Sequence, residues 1–143
     1  MNIFEYLLTD ERHIQEKLHT VADNYADWPQ PKVFDGVHHA IDSVTAHVTK
    51  VNNILLRDLP NEAMGGLTAK WKELAQSIED SIENLTQIHV DEPGFEQLFI
   101  HLSRAFDSLA GFEQEELFPA LKKNAKEDDI DRWNANLESM VFS

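Results

Sequence analysis

The chain has 143 residues, 42% hydrophobic and 27% charged, which suits a single globular domain over 1–143 rather than a disordered segment. A formal net charge of −14 argues against nucleic-acid phosphates and anionic lipid as partners. No apolar run reaches the roughly 20 residues of a membrane span, and the absence of cysteine excludes disulfides and thiolate sites and is compatible with a reducing, cytoplasmic location.

The opening "MNIFEYLLTDER" has no basic region followed by a long apolar core, so no signal peptide is expected. The first helix is predicted from about residue 3 to 23. Asn2 and Glu5 have capping-box spacing, and Phe4, Leu7, Leu8, Glu11, Ile14, Leu18 and Val21 make its inner stripe. The prolines of "DWPQPK" break the chain. A second helix is predicted over about 31–58, with Pro31 tolerated in its first turn. Its stripe runs Phe34, Val37, Ile41, Val44, His47, Val48, Val51 and Leu55. "DLPNEAMGG" forms the next break, and a third helix over about 67–89 turns Leu67, Trp71, Leu74, Ile78, Ile82 and Leu85 inward. After "VDEPG" a fourth helix is expected near Glu92, capped by Asp91 and lined by Phe95, Leu98, Leu102, Phe106, Leu109, Glu113 and Leu117 up to Pro119. A short last helix, about 128–141, offers Ile130, Trp133, Leu137 and Val141 to cover one end. Four long amphipathic helices with short connections predict an all-α, antiparallel up-down-up-down four-helix bundle with a short fifth helix.

Three polar residues interrupt the inner stripes: Glu11, His47 and Glu113, each on a different helix at a comparable depth. Inward carboxylates and imidazoles on facing helices are how bundle cores build metal sites. Singly, each has a plainer reading, a glutamate at the edge of the stripe or a hydrogen-bonded core histidine. Together they are expected to interact, through a metal ion or directly. Among the seven histidines, His13 and His19 lie off the stripe, His38 and His39 cannot both face inward, His89 sits at a helix end, and His101 flanks the core.

The segments that carry these residues resemble the hemerythrin-like (HHE cation-binding) domain over nearly the whole chain. The quoted stretches are "LLTDERHI", "HVTKVNNILLRDLP", "LTAKWKELA" and "LAGFEQEELFP", with "LLTD" and "LFPAL" the most specific. The resemblance implies a bundle around a carboxylate-bridged di-iron centre. Position by position it also implies that donors have been lost. Glu11 stands where the first helix would carry histidine. His47 is kept, but Val51 replaces the glutamate four residues on. Trp71, with Ala75 after it, occupies the third-helix positions. Leu109 replaces the fourth-helix histidine, and Glu113 is kept. Val51, Trp71 and Leu109 offer iron no electron pair and fill the space it would take.

Two arrangements remain open for Glu11, His47 and Glu113. They hold a single Fe(II), Mn(II) or Zn(II) ion, or they hold no metal. In the latter, a protonated His47 is shared between the glutamates, or one glutamate is protonated at raised pKa. The second is favoured, because three ligands are few and no residues that would orient them are visible in the sequence. The expected function is then a non-enzymatic interaction or regulatory protein, monomeric or homo-oligomeric, with a protein partner and no cofactor. A metal-binding or sensing protein with a mononuclear site is the alternative, and an intact di-iron oxygen-binding or redox protein ranks last. No nucleophile, base and orienting group assemble for hydrolysis.

Overall fold

The computed structural model describes residues 2–57, 59 and 64–142, apart from the side chain of Phe142. The predicted break "DLPNEAMGG" falls largely on residues 58 and 60–63, outside the described residues. The protein is all-helical, with no strand among the described residues. In chain order the elements are α1 (Ile3–Asn24), α2 (Gln30–Lys50), a first π segment (Val51–Leu56), α3 (Leu67–Thr86), α4 (Phe95–Phe112), a second π segment (Glu113–Leu117), α5 (Phe118–Asn124) and α6 (Glu127–Phe142).

The start of α1 follows from its cap. The Asn2 side chain accepts from the backbone N–H of Phe4 at 2.9 Å and of Glu5 at 3.2 Å, satisfying donors that helix geometry leaves without partners. Of the predicted stripe, Phe4, Leu7, Glu11, Ile14, Leu18 and Val21 are buried, while Leu8 is half-buried at its edge. On α2, Pro31 sits in the first turn as expected. Its buried face is Val33, Val37, Ala40, Val44 and His47, one position away from part of the predicted stripe. Phe34, expected inside, is therefore 52% exposed. Helices α1 and α2 approach closely at Gly36, where a Cβ would stand 2.9 Å from the Val21 Cγ2 methyl.

Four boundaries differ from expectation. The second helix does not continue as an α-helix to 58: from Val51 it widens into a π segment, in which the Arg57 N–H reaches back five residues to the Asn52 carbonyl at 2.8 Å. Helix α3 ends at Thr86 rather than 89, where the Thr86 hydroxyl donates to the Glu83 carbonyl at 2.8 Å and the chain tightens into a turn. Helix α4 begins at Phe95, and Asp91 does not cap it; Gly94, at φ 94°, adopts a backbone only glycine takes readily and marks the boundary instead. Pro119 does not end the fourth helix. The preceding turn is π, with the Phe118 N–H bonded to the Glu113 carbonyl. That wider turn leaves room for a ring that would crowd the carbonyl of an α-turn, so the helix continues through α5.

Helix α1 packs against α2 and α4, α3 packs against α4, and α6 lies across α1 and the first π segment. The α6 contact centres on Phe4, whose ring meets Phe118 edge-on at 5.6 Å and Trp133 at 6.1 Å. Asn134 Oδ1 also accepts from the Ile3 N–H at 2.8 Å. Leu102, Phe106, Leu109 and Leu117 carry the apolar core along α4 and into the second π segment, toward the polar group at its centre.

Candidate functional site

Glu11 from α1, His47 from α2 and Glu113 from the first position of the second π segment converge, all with fully buried side chains. They offer one ligand atom each, and these atoms lie within 4.8 Å of one another. His47 Nε2 is 2.8 Å from Glu113 Oε1 and 3.6 Å from Glu11 Oε2. The Phe106 ring packs T-shaped against the imidazole, with centroids 5.6 Å apart. The three polar intruders of the inner stripes thus meet. His38 and His101 are exposed and do not join them.

Each of the three is also held from outside by a residue the sequence did not single out for that role. Asp10 Oδ2 is 2.9 Å from His47 Nδ1. The Gln114 amide donates to Glu11 Oε1 at 2.9 Å. The Trp71 indole N–H donates to Glu113 Oε2 at 2.7 Å. Orienting residues that the sequence did not make visible are thus present. Two of them are chain neighbours of the cluster that reach sideways: Asp10 beside Glu11 serves His47, and Gln114 beside Glu113 serves Glu11. Trp71 fills space as expected, at 2% exposure, and in addition supplies a donor.

Two protons complete the network, one on Glu11 and one on the His47 imidazole. Glu11 Oε2 is buried and receives no hydrogen bond. Burial raises the Glu11 pKa to about 9, helped by the hydrogen bond and charge of Glu113 and opposed by Gln114 and His47. A protonated Glu11 donates to Glu113, and its orphan oxygen is satisfied. Burial works against a charged His47, but the hydrogen bonds to Asp10 and Glu113 outweigh it and raise the imidazole to about 9. Burial would also raise Glu113, yet the His47, Glu11 and Trp71 donors hold it below the usual carboxylate range. At neutral pH the cluster is a neutral Glu11, a His47 imidazolium and a Glu113 carboxylate, with Asp10 behind the ring.

The same donors can hold a metal ion, since two carboxylates and one imidazole suit a single divalent ion. An outer carboxylate behind the ligating imidazole is the usual support for such an ion. They do not fit the two ions that the hemerythrin-like resemblance implies. Val51 and Leu109 are fully buried and apolar, and the Trp71 N–H points at Glu113 as a donor.

The chain was compared with known protein families, with curated proteins and with solved structures, and none matches. The fold and site together define an all-helical protein with a buried Glu–His–Glu group able to hold a metal ion.

Proposed function

We propose that this chain is a hemerythrin-like, antiparallel up-down-up-down four-helix bundle in which a proton-closed polar network has replaced the di-iron centre. It acts as a non-enzymatic interaction or regulatory protein of the cytoplasm. The observation that carries the reading is the completeness of the network: a proton on Glu11 and a second N–H on the His47 ring leave no polar atom of the cluster without a partner. Networks satisfied in this way rigidify a core and specify its packing, whereas half-satisfied ones are costly. Val51, Trp71 and Leu109, buried at positions where the family would carry donors, support the same conclusion. The charge of −14 suits a partner with a basic face. Elemental analysis of the protein expressed with iron tests the reading. Substoichiometric iron, zinc and manganese are expected, and two irons per chain with an oxo-to-iron absorption band would overturn it.

The second reading is a mononuclear divalent-metal site, favoured by the orienting residue behind each ligand. Glu11, His47 and Glu113 would hold the ion, which would supply Lewis acidity. Loading it requires removing a proton from Glu11 and another from His47, both near pKa 9, so uptake at pH 7 releases about two protons. Calorimetry of zinc binding in buffers of different ionisation enthalpy measures that number. One equivalent of zinc bound with about two protons released, and lost in Glu113→Ala, would establish this reading over the first.

A further inference from the structure

A cavity lies away from the polar cluster, between the start of α2, the end of α3 and the turn that enters α4. Its volume is about 250 Å³. An engineered apolar cavity of roughly 150 Å³ takes up benzene, so this one has room for a substituted ring. Val37, Ile41, Leu85, Ile88 and Phe95 form its walls. His38 of α2 sits nine positions before His47, about 14 Å along the helix axis. Among the described residues, none that lines the pocket takes part in the cluster's hydrogen bonds.

The pocket is built rather than incidental. The Tyr25 hydroxyl at the end of α1 donates to the Val90 carbonyl, and the Tyr25 ring stacks on Phe95 with centroids 6.1 Å apart. These contacts fix the turn that forms one wall, and the positive φ of Gly94 brings Phe95 back against it. Phe34 and His38 both line the pocket, and the exposed Phe34 ring lies against the His38 imidazole, centroids 4.2 Å apart. His89 faces the same space from the α3–α4 turn.

The chemistry of the lining selects the occupant. Among the described residues the lining contains no carboxylate, lysine or arginine, and apolar walls penalise any buried charge. The net charge of −14 adds a further penalty for an anion. The nitrogens of an imidazole ring can donate to or accept from a hydroxyl, which is itself both donor and acceptor. We propose that this pocket binds a small neutral aromatic molecule carrying one hydroxyl, of the phenol class, with the ring between the α2 and α3 walls and the hydroxyl on His38 and His89. This goes beyond the proposed function and does not depend on it.

Fluorine NMR titration of the full chain with 4-fluorophenol, fluorobenzene and 4-fluorobenzoate tests the proposal. Saturable binding is expected, with 4-fluorophenol about tenfold tighter than fluorobenzene and 4-fluorobenzoate weakest of the three. Ile41→Trp fills the cavity and abolishes binding. The double variant His38→Ala/His89→Ala, with its helical content checked by circular dichroism, still takes fluorobenzene but loses the phenol's advantage. Four results would overturn the proposal. The first is no saturable binding by the wild-type chain, and the second is a phenol preference that survives the double histidine variant. The third is tightest binding by 4-fluorobenzoate. The fourth is a dimer that Phe34→Ser dissolves, which would make this face a contact between copies.

Discussion

Replacing Glu11 by glutamine tests where the proton of the buried cluster resides. A glutamine amide reproduces a protonated Glu11: its oxygen accepts from Gln114 and its NH₂ donates to Glu113. The wild-type side chain has a pKa of about 9 when folded and 4.5 in an unperturbed setting. At pH 7 folding must therefore restore a proton that the unfolded chain has lost, at about 1.4 kcal/mol per pH unit above 4.5. The cost is about 3 kcal/mol at pH 7 and about 5 kcal/mol at pH 8. Glu11→Gln escapes it, so the variant is expected to be more stable than wild type by up to those amounts, the gain growing with pH and vanishing near pH 4.5. Glu113→Gln places the same substitution on the other carboxylate. It strips the His47 imidazolium of its buried counter-charge and is expected to cost about 3–5 kcal/mol. Urea unfolding at pH 5, 7 and 8 measures both. Equal destabilisation by the two variants, or a Glu11→Gln difference that does not change with pH, would refute the assignment.

Three more outcomes are expected. Wild-type stability should fall as pH rises from 6.5 to 9: His47, raised to about 9, contributes fully below 6.5 and loses its contribution through 9, while the cost of protonating Glu11 grows over the same window. A urea midpoint that rises across that range would contradict the pKa directions. Trp71→Phe keeps most of the ring but removes the donor to a buried carboxylate; thermal unfolding at pH 6 should show a loss of about 1.5–3 kcal/mol, and a change below about 0.5 kcal/mol would mean the indole N–H does not hold Glu113. Gly111→Ala, with open space at its Cβ inside α4, should gain about 0.5–1 kcal/mol, whereas Gly36→Ala should gain nothing because its methyl meets Val21; chemical denaturation of both variants makes the comparison.

The helix stripes and the inward residues Glu11, His47 and Glu113 were legible because burial repeats with the helical period, and a polar side chain on that period stands out. What supports them was not. Asp10 and Gln114 lie beside the stripe, and their side chains cross to neighbouring helices, which spacing within one helix does not reveal. Trp71 read as bulk because the indole N–H matters only once a carboxylate faces it. Phe34 was misplaced because several apolar residues near the start of α2 fit more than one face, and Val33 won the inward position. The two π segments escaped notice because a local change of winding leaves no compositional mark.

Those two segments have a geometric consequence. One begins four residues after His47 and the other at Glu113 itself. A ring closed five residues back accommodates one more residue than an α-turn, and each residue corresponds to about 100° around the axis. The side chains before and after each widened turn are therefore set to separate angular phases. Rewinding 113–117 into an α-turn with every residue kept would swing Phe118 and Leu121, now buried, about a quarter-turn around the rod, whereas excising one residue as the stretch rewound would leave them facing inward.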